Sequence, residues 1–169
     1  ADHPEFAGRK ATKTIDGKPV TGWFTEDFTL AELKTLRAKE RLPQLRGTAH
    51  DGEYEIPTFA EILDLLAETN KSRVKPVGVY PETKHPSYFA SIGLPHEAPL
   101  LAILDRYGYR GRKAPVFIQS FEVANLKAIR AKSDLPLIQL MDGEGGPADD
   151  PKLSYAAMAT PAGLKAVAA

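Results

Sequence analysis

Apolar and polar positions change their pattern along the chain. Residues 1–27 show no sustained period: charges, prolines and glycines are dense, and only Ile15, Val20, Trp23 and Phe24 are suited to packing. Within this region Ile15-Asp16-Gly17-Lys18 reads as a tight Asp-Gly turn joining two short strands. Trp23 and Phe24 are expected to anchor the loop. A helical period starts at Thr29-Leu30-Ala31-Glu32, where a threonine followed three residues later by glutamate spells a capping box, and Leu30, Leu33 and Leu36 make one apolar stripe. The spacing predicts a helix over residues 30–38. The pattern lapses to loop over 43–55. A second capping box, Thr58 with Glu61, then opens a helix to about Thr69 that buries Phe59, Ile62, Leu63 and Leu66.

From there the periods alternate. Residues 77–86, 115–121 and 136–141 read as strands, with helices over 96–107, stopped by Gly108, and over 122–132. Residues 142–159 form an acidic loop rich in glycine and proline, and Thr160-Pro161 opens a last helix with cap and first-turn proline in order. Strands alternating with helices mean an α/β fold with parallel strands. A barrel of this class needs eight strands, so three strands followed by a helix predict an internal piece of a longer barrel. On this reading residues 1–169 are one domain fragment. Residues 1–55 supply insertion-like loops and a short helix, and 56–169 the alternating part. The competing expectation is a small, complete open sheet.

The strand at 77–86 carries the candidate chemistry. Alternation puts Gly78, Tyr80, Glu82 and Lys84 on one face and Val77, Val79 and Thr83 on the other. Two opposite charges at the C-terminal end of an otherwise buried strand demand a reason, and that end is where α/β folds hold ligands. A carboxylate there suits a hard cation such as Mg²⁺ or Ca²⁺. Lys84, about 7 Å further along the same face, suits a phosphate oxygen or an oxyanion. The alternative is a structural ion pair between the two. Gln119 shares a face with Phe117 and Phe121, and Gln139 one with Leu137 and Met141. Either amide could line a pocket or bond to buried backbone.

Composition narrows the field. Lys plus Arg and Asp plus Glu both number 22, so no global field recruits nucleic acid, and no apolar run is long enough to span a bilayer. There is no cysteine, which removes thiol catalysis and thiolate metal sites and leaves the compartment open. The first residues have no signal-peptide pattern. His3, His50, His85 and His96 stand at no metal-binding spacing, and only His85, beside Lys84, could border the pocket. No glycine-rich nucleotide motif or nucleophile elbow is present. Any charged ligand must therefore be held locally, and the sequence sets no oligomeric state.

Three segments together resemble the middle of the bacterial glycerophosphodiester phosphodiesterases: Tyr80-Pro81-Glu82-Thr83-Lys84, Ile56-Pro57-Thr58-Phe59-Ala60-Glu61-Ile62-Leu63, and Val116-Phe117-Ile118-Gln119-Ser120-Phe121. Phe28-Thr29-Leu30-Ala31-Glu32-Leu33 and the loop before it look like that family's small insertion. The resemblance implies a TIM (β/α)8 barrel that hydrolyses glycerophosphodiesters to an alcohol and sn-glycerol 3-phosphate, with a divalent metal, Mg²⁺ or Ca²⁺, and two histidines. By position it makes Glu82 a metal ligand, Lys84 a phosphate contact, and Gln119 and Phe121 pocket-lining residues. The family's His-Arg-Gly, Glu-x-Asp and second catalytic histidine have no counterpart here, so no catalytic residue is expected within the chain, which alone should be inactive. Members with this kind of insertion imply a periplasmic or secreted location. The rival expectation is a non-catalytic binding module in which Glu82 and Lys84 form the structural ion pair.

Overall fold

The computed structural model describes residues 3–168. The Asp-Gly turn does what its residues dictate. Asp16 and Gly17 both adopt positive φ, 51° and 73°, as a two-residue hairpin turn whose twist matches its strands requires. It joins β1 (Ala11–Ile15) to β2 (Lys18–Gly22), where the hydroxyls of Thr12 and Thr21 meet at 2.7 Å. Of the two aromatics expected to anchor this region, Phe24 is buried, whereas Trp23 is more than half exposed and is held by its indole N–H donating to the Phe6 carbonyl at 2.7 Å.

Both capping boxes form. The Thr29 hydroxyl accepts from the Glu32 N–H, and Glu32 accepts from the Thr29 N–H at 2.8 Å; Thr58 and Glu61 repeat the exchange at 3.2 and 2.6 Å. The first opens α1 (Leu30–Leu33), shorter than predicted because the chain leaves it to pair elsewhere. Ala38 N–H donates to Tyr54 O, Gly52 N–H to Ala38 O, and Arg37 bridges Glu55 in antiparallel fashion. Within the predicted loop 43–55 lies a single turn, α2 (Pro43–Arg46), started by proline and ended by Gly47 at φ 72°. The second box opens α3 (Phe59–Asn70). By internal contacts the chain forms two units, one holding the residues up to Thr14 with Pro19–Leu65, the other Ile15–Lys18 with the residues from Leu66 onward.

In the second unit, residues 77–86 are less regular than predicted. Val79 and Val116 form one parallel bridge and Glu82 and Gln119 another, fastened by Val79 N–H to Pro115 O, Phe117 N–H to Val79 O, Gln119 N–H to Pro81 O and Thr83 N–H to Gln119 O, at 2.9–3.0 Å. Gly78 permits this approach: a β-carbon there would run into the Pro115 carbonyl. The strand does not continue to Pro86. His85 turns the chain at φ 49° and Pro86 starts α4 (Pro86–Ser91), a helix that the sequence pattern does not predict. Then come α5 (Glu97–Arg106), β3 (Ile118–Ser120), α6 (Val123–Arg130) and β4 (Leu137–Gln139). The predicted loop 142–159 contains α7 (Tyr155–Met158), capped by Ser154 accepting from Ala157 N–H, and α8 (Pro161–Ala168) follows.

β4 runs parallel to β3, with Ile118 opposite Leu137, Gln119 opposite Ile138 and Ser120 opposite Gln139. Three consecutive extended segments thus lie side by side in chain order, with helices in each connection. Val116, Ile118 and Ser120 are buried, as are Leu126 and Ile129 of α6 and Leu104 of α5, and α6 packs on β3, β4 and α5. The opposite face is open. Tyr80 and Phe117 meet edge to face on it with ring centroids 5.9 Å apart, and each is about half exposed.

Candidate functional site

The parallel register decides which side chains share the open face. Bridged residues of adjacent strands project the same way, so Glu82 stands beside Gln119, as Tyr80 does beside Phe117. Three of the residues singled out in the sequence, Glu82, Lys84 and Gln119, therefore meet at the C-terminal ends of their segments, whereas Phe121, just past the end of β3, has its ring 6.1 Å from that of the buried Tyr155. Lys84 Nζ lies 3.2 Å from Glu82 Oε1. The lysine side chain is 69% exposed and the glutamate 23%, so this is an ion pair at a wet edge. Such pairs contribute little to stability, about 0–1 kcal/mol, which leaves the lysine free to exchange partners.

Gln139 belongs elsewhere. Opposite Ser120, it faces the helix-covered side, and its Nε2 donates to the carbonyls of Ser120, Phe121 and Leu140 at 3.0–3.2 Å. It braces backbone on the side away from Gln119. The histidines are also separate: His3 lies against Glu5, His50 against Glu53 and His85 against Asp16, at 2.6–2.8 Å, while His96 sits 4.6 Å from the Phe89 ring, where burial pushes its pKa down. Among the described residues no group of three or more histidines and carboxylates is placed to hold a metal ion. Glu82 offers one hard oxygen ligand, and a divalent cation needs more.

Sequence reading missed the buried polar residues behind the face. Glu122 is 3% exposed and accepts from the N–H and hydroxyl of Ser87, both at 3.0 Å. Burial, with the carboxylates of Asp149 and Asp16 nearby, pushes its pKa up despite those hydrogen bonds. Thr83 donates its hydroxyl to Asn125 Oδ1 at 2.6 Å, and Asn125 Nδ2 donates to Glu97. A glutamate just after a strand and before a helix reads as an ordinary cap; only its burial marks it out.

Parallel strands carrying a carboxylate, an ammonium and an amide at their C-terminal ends define the class: an α/β protein of βα repeats with a candidate anion site at the strand ends. The chain belongs to the glycerophosphoryl diester phosphodiesterase family, whose model matches residues 8–169. It is similar to glycerophosphodiester phosphodiesterase GDPD6 of Arabidopsis thaliana, 37% identical over 176 residues, covering 97% of this chain and 46% of that protein. Glycerophosphodiester phosphodiesterases of Haemophilus influenzae and Treponema pallidum are 28% and 30% identical, over 70% and 64% of this chain and 37% and 33% of their own lengths. The chain thus spans less than half the length of these relatives. The family implies a TIM-barrel-like α/β fold, with which the parallel sheet agrees.

Proposed function

We propose that these residues are the central part of a phosphodiesterase that hydrolyses glycerophosphodiesters to an alcohol and sn-glycerol 3-phosphate. The observation that carries this is the meeting of Glu82, Lys84 and Gln119 at the strand ends of a chain in this family. Lys84, exposed and only loosely paired, reaches for a phosphate oxygen. Gln119 offers an amide donor and Phe121 an apolar wall. Glu82 would serve as one oxygen ligand of a divalent cation, Mg²⁺ or Ca²⁺; when bound, such an ion polarises a phosphoryl oxygen. The remaining ligands, a histidine acting as base and another protonating the leaving alcohol belong on this reading to residues outside 1–169, as do the strands that close the barrel. Residues 1–55 are then an insertion, and a periplasmic or secreted location is proposed on resemblance to members that carry one.

The test is kinetic, on the full-length protein with glycerophosphodiester substrates. Lys84→Ala should lower kcat/KM at least tenfold, and Glu82→Ala should weaken the dependence on added Mg²⁺ or Ca²⁺. Wild-type rates in both would refute the assignment. The ion pair at 3.2 Å favours a second reading, a non-catalytic binding module. It predicts melting that is unchanged by divalent metal or glycerol 3-phosphate, whereas a ligand-dependent rise in Tm that disappears in Glu82→Ala excludes it.

A further inference from the structure

We infer that Glu122 is a positioning residue: with Ser87 it clamps the short segment that presents Lys84. This rests on the proposed role of Lys84. The segment from Thr83 to Ser87 is gripped at alternate residues, each from a different direction. Thr83 is tied to β3 through its N–H to Gln119 O and through its carbonyl, which accepts from the Ser120 hydroxyl at 3.4 Å, while its hydroxyl donates to Asn125. His85, in the left-handed region, meets the Asp16 carboxylate at 2.6 Å. Ser87 gives both its N–H and its hydroxyl to Glu122. Between these holds, Lys84 is directed to the open face beside Glu82.

The clamp uses geometry that an ordinary helix cap would not. Glu122 occupies the N-cap position of α6, yet its side chain makes no bond to that helix. The α6 N-terminus is served instead by Asp149, whose oxygens accept from Val123 N–H at 3.3 Å and Ala124 N–H at 2.6 Å. Glu122 is thereby free to cross to the first turn of α4, joining the end of β3 to the residues that follow Lys84. A carboxylate at 3% exposure that takes its hydrogen bonds from Ser87 is costly to bury, since neutral donors only partly replace its hydration. The clamp needs hydrogen bonds and not charge, since a glutamine could accept from the Ser87 N–H with Oε1 and donate to the hydroxyl with Nε2.

The experiment compares Glu122→Ala, Glu122→Gln and Ser87→Ala in the full-length protein by amide hydrogen exchange over residues 83–87 and by steady-state kinetics, with Lys84→Ala as reference. Glu122→Ala is expected to speed exchange in that segment at least tenfold and to lower kcat tenfold or more with KM changed less than threefold. Glu122→Gln should stay within threefold of wild type in both readouts. Ser87→Ala, which removes one of two bonds and is the milder variant should Glu122→Ala not fold, should fall between. Unchanged exchange in Glu122→Ala or Ser87→Ala, or a Glu122→Gln variant as impaired as alanine, overturns the clamp. Faster exchange in a protein whose Lys84→Ala variant retains full activity would keep the clamp and refute the role of Lys84 instead.

Discussion

Thr83 shows what one hydroxyl does here. It is 6% exposed and donates to Asn125 Oδ1, so Thr83→Val, which keeps the shape, leaves a buried acceptor without its donor. The expected cost is about 1–3 kcal/mol in urea denaturation. Glu122 adds a pH dependence with a definite sign. Its pKa is raised in the folded protein, so its contribution to stability is present at low pH and is lost as pH rises through the raised value. Comparing Tm across pH, wild type should lose ground to Glu122→Gln as pH increases; parallel curves would contradict the raised pKa. At this scale the sequence was informative for residues that point into open space and silent for those behind them. Alternation along a strand is enough to group Glu82 with Lys84. The burial of Glu122 and Asn125 depends on helices that arrive from other parts of the chain.

At the scale of elements, local chemistry located the helix starts better than the helix ends. Capping boxes are exchanges within four residues, so Thr29 with Glu32 and Thr58 with Glu61 form as written. Each glutamate also takes a cation, and these hydrogen bonds, from Arg9 and Thr29 to Glu32 and from Lys34 and Thr58 to Glu61, hold both carboxyls down at about 2. A depressed carboxyl contributes stability above its unfolded pKa and loses it as pH falls toward the folded value. Acid titration followed by circular dichroism should therefore show helix loss between the ordinary carboxylate range and about pH 2, with a smaller slope in Glu61→Gln. The loop after β4 is pinned by a contact no local pattern could announce. Asp149 caps α6 from 25 or 26 residues away, and Asp149→Ala should cost about 0.5–2 kcal/mol in chemical denaturation. Pro86 illustrates the converse error: as the end of a strand it would be unremarkable, but its fixed φ also suits a helix's first turn, and the turn at His85 selects that use.

The second unit presents a sheet covered on one side and open on the other. Phe117 is 48% exposed on the open side, yet sits in a strand whose alternate residues are fully buried. If the face is the inside of a barrel completed by other strands, Phe117→Ala in the full-length protein should cost about 3–5 kcal/mol, as a core phenylalanine does; a change under about 1 kcal/mol would leave the face solvent-exposed.

Sequence by itself determined the α/β alternation, the hairpin turn, the helix caps and the grouping of Glu82 with Lys84, because each depends on residues within a few positions and on fixed strand or helix periods. The resemblance read from four short motifs pointed to the family that the match over residues 8–169 establishes. Tertiary structure alone decided that Gln119 joins Glu82 while Gln139 turns away, because strand register is set by pairing between segments 37 and 19 residues apart. It alone placed Glu122 against Ser87, since the free energy of a buried carboxylate is fixed by what folds over it and not by its neighbours in the chain.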